Sequence, residues 1–276
     1  MALSTELKDA ARLLADGLNA GSGTARAQLG GGGPAFAGMD GLVPTVANYV
    51  ETATSEGMTF PVTLVTESGT PASIVAEGGL KPTAAAITGQ DVTLSKFGGL
   101  GIATLEQHLN ATGLASALAK VLSGSALKAF EADSINVLDA AAGDTVTGTT
   151  WVAATAAAQA SLLASGNVPS VLIISAADYA AFTDDVLGTS AFAQDPNSPV
   201  GALLGTPIHV SSGATSGKAF MVDAGAVVAA AHEQSPILIA DAVSLADTNR
   251  MRLVVDVVAK TFVTDPSGVV EITAPV

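Results

Sequence analysis

One acid and one base lie close together in the stretch VAEGGLKP, residues 75–82, of a chain with few charges. Glu77 and Lys81 are four positions apart across a glycine pair, and Pro82 follows directly. Only 13% of the 276 residues are charged. A carboxylate and an ammonium group at this spacing can act together in acid–base catalysis, clamp a ligand, or form ion pairs with another protein. The spacing alone leaves these three alternatives open.

The other residues that could carry chemistry are dispersed along the sequence. His108, His209 and His232 lie far apart, and none has a second metal ligand three or four positions later. The chain has no cysteine, which excludes disulfides, thiol nucleophiles and thiolate metal sites. We therefore interpret the histidines as isolated surface or core residues and predict no metal or cofactor site.

Two glycine-containing stretches match nucleotide-binding loops only in part. Residues 213–218, GATSGK, are one residue short of a phosphate loop, and Ala219 stands where that loop needs a hydroxyl. Residues 98–104, GGLGIAT, lack the third glycine of a dinucleotide fingerprint. We interpret residues 213–218 as a turn between two strands. The acids Asp184 and Asp185 follow a short predicted helix, and we interpret them as part of a solvated loop. Because none of these motifs indicates catalysis, we predict a protein that is not an enzyme.

The first third of the chain combines a short helix, a flexible arm and a long excursion between two strands. Apolar residues at helical spacing predict a helix over Ser4–Leu18, and the glycine-rich residues 19–38 predict a flexible arm. Alternation from Met58 predicts a strand, and a second strand pattern resumes at Asp91. Long loops inside compact domains are usually functional, so we expect the segment between these strands to meet another subunit.

Residues 112–140 form the clearest predicted helix. Lys128, Glu131 and Asp133 lie off its apolar stripe in the predicted arrangement. The stripe itself comprises Leu114, Leu118, Val121, Leu122, Ala126 and Phe130.

The second half of the chain mixes helices and strands without a regular alternation. A loop is predicted over residues 141–150, an alanine-rich helix over 151–165, and a buried strand over 168–175. Ser175 and Asp178 form a capping box that opens another short helix. The remaining segments predict strands, at residues 206–212, 218–224, 226–233, 236–242, 250–264 and 269–273. This mixture predicts an α+β fold.

The formal net charge of −14 argues against direct nucleic-acid binding, which usually needs a basic patch. Arg250 and Arg252 are the closest basic pair, on one face of a predicted strand, and suit a solvated face or ion pairs between subunits. The charge still permits a wall that surrounds DNA without adhering to it. No apolar run reaches the ~20 residues of a membrane helix, and no signal peptide is recognisable, so we expect a soluble intracellular product.

The order of these segments resembles the major capsid proteins of tailed phages, the Hong Kong 97 (HK97-like) fold family. The stretches that carry the resemblance are residues 75–82, 91–96, 169–182, 201–223 and 261–273. Together they span most of the chain after residue 50, and their order and spacing match better than any one of them alone.

The resemblance implies a division of the chain into five parts. Residues 1–50 would be an N-terminal arm, and residues 51–105 an extended β-hairpin loop with its flanking strands. Residues 106–150 would be a peripheral domain with a long spine helix, and residues 151–240 an axial domain. Residues 241–276 would supply the terminal strands of the peripheral domain.

The resemblance also assigns a role to the opening stretch. The extended loop would lie over an adjacent subunit, with Glu77 and Lys81 in ion pairs across subunits and Pro82 shaping the turn. Some members of the family join their subunits by a lysine–asparagine isopeptide bond assisted by a glutamate. Lys81 and Asn249 stand at the matching positions, but Asp256 replaces the glutamate, so a plain salt bridge is the alternative.

The implied function is structural. The chain would assemble into hexamers and pentamers of an icosahedral phage head that encloses double-stranded DNA, in the virion and after assembly in the host cytoplasm. Scaffolding, portal and decoration proteins are the implied partners, with no membrane and no cofactor. An encapsulin-like bacterial compartment would share the fold and would package a cargo enzyme in place of a genome.

Overall fold

A computed structural model of the protein describes residues 45–67, 85–104, 107, 114–188, 202–241 and 249–275. This part of the chain contains three α-helices of defined extent, two larger β-sheets and a two-stranded hairpin, which confirms the predicted α+β class. None of the described helices combines the length and apolar character needed to span a membrane. The predicted helix Ser4–Leu18 and the glycine-rich residues 19–38 lie outside the described residues.

The helices are α1 (Leu114–Ala141), α2 (Trp151–Ala164) and α3 (Tyr179–Gly188). The first two match the predicted helices closely, whereas α3 begins three residues later and ends six residues later than the predicted 176–182. The strands are β1 (Glu51–Ser55), β2 (Thr59–Glu67), β3 (Ala85–Thr93), β4 (Ser95–Thr104), β5 (Asp144–Val146), β6 (Val171–Ser175), β7 (Ala202–Leu203), β8 (Thr206–Ser211), β9 (Lys218–Val222), β10 (Val227–His232), β11 (Ile237–Asp241), β12 (Arg250–Val263) and β13 (Val269–Thr273).

The long strand β12 organises the five-stranded sheet. Its residues 250–259 pair antiparallel with the whole of β4 along one edge. Along the other edge it pairs first with β11 and then with β10, which follow one another in the same line. Strand β1 adds to β10 in parallel. A fourteen-residue run rich in valine suits such a central position, because β-branched side chains pack well on a pleated sheet.

The six-stranded sheet has the order β5-β13-β9-β6-β8-β7, with the fully buried β6 near its centre. Leu172 and Ile174 of β6 pack in one apolar cluster with helices α2 and α3. Val171 and Ile173 point to the opposite face and pack in a second cluster with α1. Burial on both faces explains why β6 is a continuous apolar run rather than an alternating one.

The second cluster, which we call the shared core, joins the two sheets. It contains Ile173 of the six-stranded sheet, Val257 of the five-stranded sheet, and Leu127 and Phe130 of α1. Helix α1 is therefore packed against both sheets at once. The shared core therefore includes residues of both sheets, whereas the cluster with α2 and α3 lies on the other face of β6.

Each sheet draws strands from more than one part of the sequence. Strand β10, and β11 except for its last residue, lie within residues 151–240 and pair with β12 in the five-stranded sheet. Strand β13 lies within residues 241–276 but pairs with β9 in the six-stranded sheet.

The orientation of α1 corrects two details of the predicted apolar stripe. Leu122, Ala126 and Phe130 are buried as predicted, but Val121 is exposed. Glu131, predicted to lie off the stripe, is buried. The helical pattern located the buried side of α1 correctly to within about one position. Glu131 can be buried because it pairs with His209 of the six-stranded sheet.

Two further local predictions are wrong. Residues 144–146 form strand β5 rather than loop, because they pair in parallel with β13 at the sheet edge. Asp184 and Asp185 lie within helix α3 and not in a loop after it. Asp185 Oδ2 accepts a hydrogen bond from Val152 N at 3.0 Å, so it satisfies a free backbone donor at the start of α2.

The predicted turn at residues 213–218 and the predicted capping box are confirmed, and Asp178 links them. Ser175 Oγ donates to Asp178 Oδ2 at 2.6 Å, and Asp178 N donates to Ser175 Oγ at 3.0 Å. Gly217 N and Ser216 Oγ also donate to the Asp178 carboxylate, which holds the turn between β8 and β9. Burial acts to raise the pKa of Asp178, but these three hydrogen-bond donors together hold the pKa below its usual value.

Candidate assembly surface

The hairpin of β2 and β3 carries the segment that contains Glu77, Lys81 and Pro82. These three residues lie outside the described residues, and the hairpin is described up to Glu67 and again from Ala85. The two predicted flanking strands are confirmed, although β3 begins six residues before the expected start at Asp91.

Within the described residues, β2 and β3 pair only with each other, from Thr59↔Thr93 to Glu67↔Ala85. Eight residue steps of strand extend about 26 Å at ~3.3 Å per residue. Phe60 anchors the base against Phe262, with ring centroids 6.4 Å apart. A two-stranded hairpin is marginally stable alone in water, so its outer part needs a surface to lie on.

One face of the five-stranded sheet carries apolar side chains that nothing in the described chain covers. Leu100, Ile102 and Ile239 are 55%, 54% and 49% exposed, and Val254 between them is half-buried. The strand register places Leu100, Val254 and Ile239 side by side across β4, β12 and β11. We call these four residues the exposed sheet face.

The opposite face of the same strands is covered by helix α1. Leu253 and Val255 of β12 are buried against Ala119 and Leu122 of the helix. Alternation along β12 therefore separates a helix-packed side from an open one. Large apolar side chains on an open face are typical of an interaction surface.

Charged residues border the exposed sheet face. Lys96 Nζ lies 2.7 Å from Asp256 Oδ2, and Arg252 Nε lies 3.1 Å from Asp241 Oδ2. Arg250 is exposed at the end of β12. The structure thus places Arg252 in an ion pair within its own chain, whereas the sequence suggested a solvated face or ion pairs between subunits for Arg250 and Arg252.

Asp256 is buried although its partner Lys96 is exposed. Gly98 makes room for the carboxylate, because a Cβ at that position would collide with Asp256 Oδ1. Sequence reasoning missed Lys96 as the partner, since the two residues are 160 positions apart. The signal that could have found it is the shared alternation of β4 and β12, which puts both side chains on one face.

Of the three isopeptide candidates, the structure describes Asn249 and Asp256, which lie far apart along β12. Lys81 lies outside the described residues. Asn249 directly precedes β12 and has a left-handed backbone with φ of 55°. Seven residues of extended strand place Asp256 about 23 Å further along.

A second pair of polar side chains, a histidine and a glutamate deep in the molecule, was also missed. His209 Nε2 of β8 lies 3.0 Å from Glu131 Oε1 of α1, and each side chain is only 1% exposed. The Tyr49 ring packs on His209 with centroids 4.9 Å apart. Burial and the negative charge of Glu131 both raise the pKa of Tyr49. With no route to solvent, the pair fastens helix α1 to the six-stranded sheet.

The other histidine predictions have mixed outcomes. His209 is a core histidine, as one of the two sequence interpretations held. His232 is half-buried and its Nδ1 accepts a hydrogen bond from Gln234 N. His108 lies outside the described residues. In the part of the chain that the structure describes, no three His, Asp or Glu side chains converge as a metal site would require.

Solved structures with the same arrangement come from phages and from a virus-like particle. A structure from Mycobacterium phage Adephagia matches with a TM-score of 0.64 and 16% identity over 82% of this chain and 88% of that one. The phage G major capsid and decoration proteins match at 0.57 and 10% over 82% and 88%. A virus-like particle from Pyrococcus furiosus matches at 0.60 and 11% over 97% and 99%.

No protein-family profile and no curated protein sequence matches this chain. Similarity at 10–16% identity is therefore similarity of fold. The class that this architecture defines is the HK97-like capsid fold, which confirms the fold that the sequence resemblance implied.

Proposed function

We propose that this chain is the major capsid protein of a phage, a structural protein that assembles into an icosahedral shell around double-stranded DNA. The observation that carries the proposal is the HK97-like fold combined with an open apolar sheet face. A closed shell repeats a few contacts between copies many times, so each contact can be modest. An apolar face and an outstretched hairpin are the two surfaces that such contacts need.

The net charge of −14 supports a container rather than a binder of DNA. Nucleic acid is held mainly through basic side chains that contact its phosphates, and this chain has only 11 lysines and arginines. In this proposal the chain acts in the virion after assembly in the host cytoplasm. Scaffolding, portal and decoration proteins are its partners.

The five-part division of the chain remains part of the proposal. In it, residues 51–105 form the extended loop, α1 is the spine of the peripheral domain, and residues 151–240 contribute the axial domain. Strands β10 and β11 pair in the same sheet as β12, and β13 pairs in the six-stranded sheet, so residues 151–240 and residues 241–276 both contribute strands to both sheets.

An encapsulin-like compartment is the second candidate function. It is compatible with the match to the Pyrococcus furiosus virus-like particle, which covers 97% of this chain against 82% for the phage structures. The two candidates share a shell and differ in what it encloses. Co-purified protein cargo would support the compartment, and packaged double-stranded DNA would support the phage head.

Negative-stain electron microscopy of the purified full-length chain tests the shell itself. We expect uniform hollow particles, either from the chain alone or after co-expression with a scaffolding protein. Small soluble species under both conditions would contradict the shell proposal for the phage head and for the compartment alike.

The segment with Glu77, Lys81 and Pro82 is proposed as a clamp between copies. The described hairpin leads directly into it and is too long and narrow to be stable alone. Ion pairs from Glu77 and Lys81 to an adjacent copy would hold its tip, and Pro82 would fix the turn.

Changing Glu77 and Lys81 together to alanine is expected to abolish or weaken the shells, because both ends of the clamp's ion pairs are lost. Electron microscopy and sedimentation velocity measure the fraction of assembled protein. The matched control changes Glu56 and Lys120, an exposed acid and an exposed base elsewhere, to alanine with the same net charge. Equal assembly of the two double variants would rule out the clamp.

Arg250 is proposed to form an ion pair with another copy, and Arg252 to contribute from beside Asp241. A covalent bond from Lys81 to Asn249 assisted by Asp256 is proposed as an alternative to a plain salt bridge. Asn249 and Asp256 are far apart along β12 of one chain. The asparagine of one copy and the aspartate of another would therefore have to meet at the same lysine. A denaturing gel of assembled particles separates the alternatives, since only the covalent bond leaves linked chains.

A further inference from the structure

A second exposed apolar group lies at the corner where α2 leads into β6. Leu163 and Val168 are 62% and 64% exposed there. Asp223 accepts a hydrogen bond from Val168 N, Asp144 accepts one from Ser161 of α2, and Asp265 lies in the segment that bonds to Asp223 and Gly143. We call Leu163, Val168 and these three aspartates the acidic corner.

Hydrogen bonds hold the acidic corner together. Val168 N donates to Asp223 Oδ2 at 2.9 Å, and Asp223 N donates to the carbonyl oxygen of Gly268 at 2.8 Å. Gly143, next to Asp144, donates to the carbonyl oxygen of Pro266, next to Asp265, at 3.0 Å. These bonds bring together three separate segments of the chain, and each segment carries one of the three aspartates.

The acidic corner lacks compensating cations. Asp144, Asp223 and Asp265 accept hydrogen bonds only from hydroxyl groups and backbone N–H groups, and no lysine, arginine or histidine of the described residues forms an ion pair with them. The corner is a negatively charged apolar surface.

The exposed sheet face has the opposite character. Lys96, Arg250 and Arg252 border it, which are three of only 11 basic residues in a chain of net charge −14. Asp256 and Asp241 offset two of them, whereas Arg250 has no ion pair within the described residues. Among the described residues, the three bases and two acids at the exposed sheet face leave one positive charge, whereas the acidic corner is negative.

The geometry points to the acidic corner of a second copy as the occupant of the exposed sheet face. Leu163 and Val168 would pack on Leu100, Ile102 and Ile239 in the centre of the contact. The carboxylates would meet the arginines at its edge, which is the usual arrangement of an apolar centre and a charged rim.

The two surfaces differ, so the contact is head-to-tail and each copy can use both surfaces at once. Head-to-tail contacts generate rings where the rotation closes. The inference rests on the proposed shell and names one of its contacts.

The absence of cysteine allows a direct test by disulfide formation. Ile102→Cys and Val168→Cys are placed on separate chains, co-assembled and oxidised. We expect a disulfide-linked dimer that requires both variants, because the two side chains meet only between copies. Both positions are exposed, so folding is not at risk. Val121→Cys, on the outer side of α1, is the matched control and should remain unlinked to Val168→Cys.

The same assay identifies any other occupant. A link from Ile102→Cys to Val75→Cys would assign the face to the hairpin segment, and a link to Leu14→Cys would assign it to the N-terminal segment. A link between two Ile102→Cys chains would assign it to a symmetric contact. Any of these three results in place of the Val168→Cys link would overturn the inference.

Charge exchange supplies a second readout. Arg250→Glu should raise the concentration needed for assembly roughly tenfold, since it places an acid against the corner. Adding Asp144→Lys should restore assembly, because both sides of the contact are then reversed in charge. Lys120→Glu, the control with the same charge change as Arg250→Glu, should have no effect. Failure of the unaltered chain to assemble counts against the proposed function. Normal assembly of Arg250→Glu counts against this contact alone.

Discussion

Replacing Glu131 with alanine is expected to lower the free energy of unfolding by about 3–5 kcal/mol, because it leaves His209 buried without its partner. Removal of one member of a buried pair costs more than the pair itself contributes, since the remaining polar group can neither reach water nor find another acceptor. Urea denaturation followed by the fluorescence of Trp151, the single and buried tryptophan, measures the loss.

Two control variants distinguish loss of the Glu131–His209 interaction from other effects of changing these residues. Glu131→Gln keeps an oxygen that can bond to His209 and should cost clearly less than alanine. Changing Glu131 to methionine and His209 to phenylalanine together should recover much of the lost stability, since apolar replacements of buried pairs are often neutral. A loss below about 1 kcal/mol for Glu131→Ala would contradict the role of the pair as a fastening.

The second large effect is expected at Gly213, in the turn between β8 and β9. A Cβ there would lie 2.8 Å from Ala132 Cα and 2.9 Å from Ala132 N, one residue after Glu131. These are atoms of the α1 backbone, so no side chain can rotate away, and the turn or the helix must move. Gly213→Ala should therefore cost about 3 kcal/mol, at the upper end of ordinary overpacking.

Gly89→Ala is the matched control for this substitution. Gly89 lies in β3, and a Cβ there would meet no atom within 4 Å. The same urea titration should show little change, or a slight gain from a less flexible unfolded chain. Equal stability of the two variants would show that α1 and the turn are not in tight contact.

Much of the fold could be predicted because it depends on local patterns. The buried run of β6, the alternation of β12 and the spacing of Leu122, Ala126 and Phe130 each record which side of an element is covered. Short polar segments have no apolar pattern that shows which of their sides is buried. Strand β5 has three residues and exists only because β13 offers it an edge, so the sequence indicated a loop.

The specific polar contacts could not be predicted, because each joins residues that are distant in sequence. Glu131 and His209 are 78 positions apart, and Asp185 meets Val152 across 33. A helical pattern can show that Glu131 is polar, but it cannot show that His209 lies beside it on the neighbouring sheet. The exposed sheet face depends likewise on the register of β4, β11 and β12, which only the assembled sheet defines.

The shared core has a consequence for curvature. In the proposed shell, pentamers and hexamers would meet their neighbours at different angles. A hinge between the two sheets would have to open the contacts of Ile173 and Val257 with α1, and densely packed interiors do not deform gradually. The described part of each subunit should therefore behave as a rigid body. The differences in angle should be accommodated at the contacts between copies.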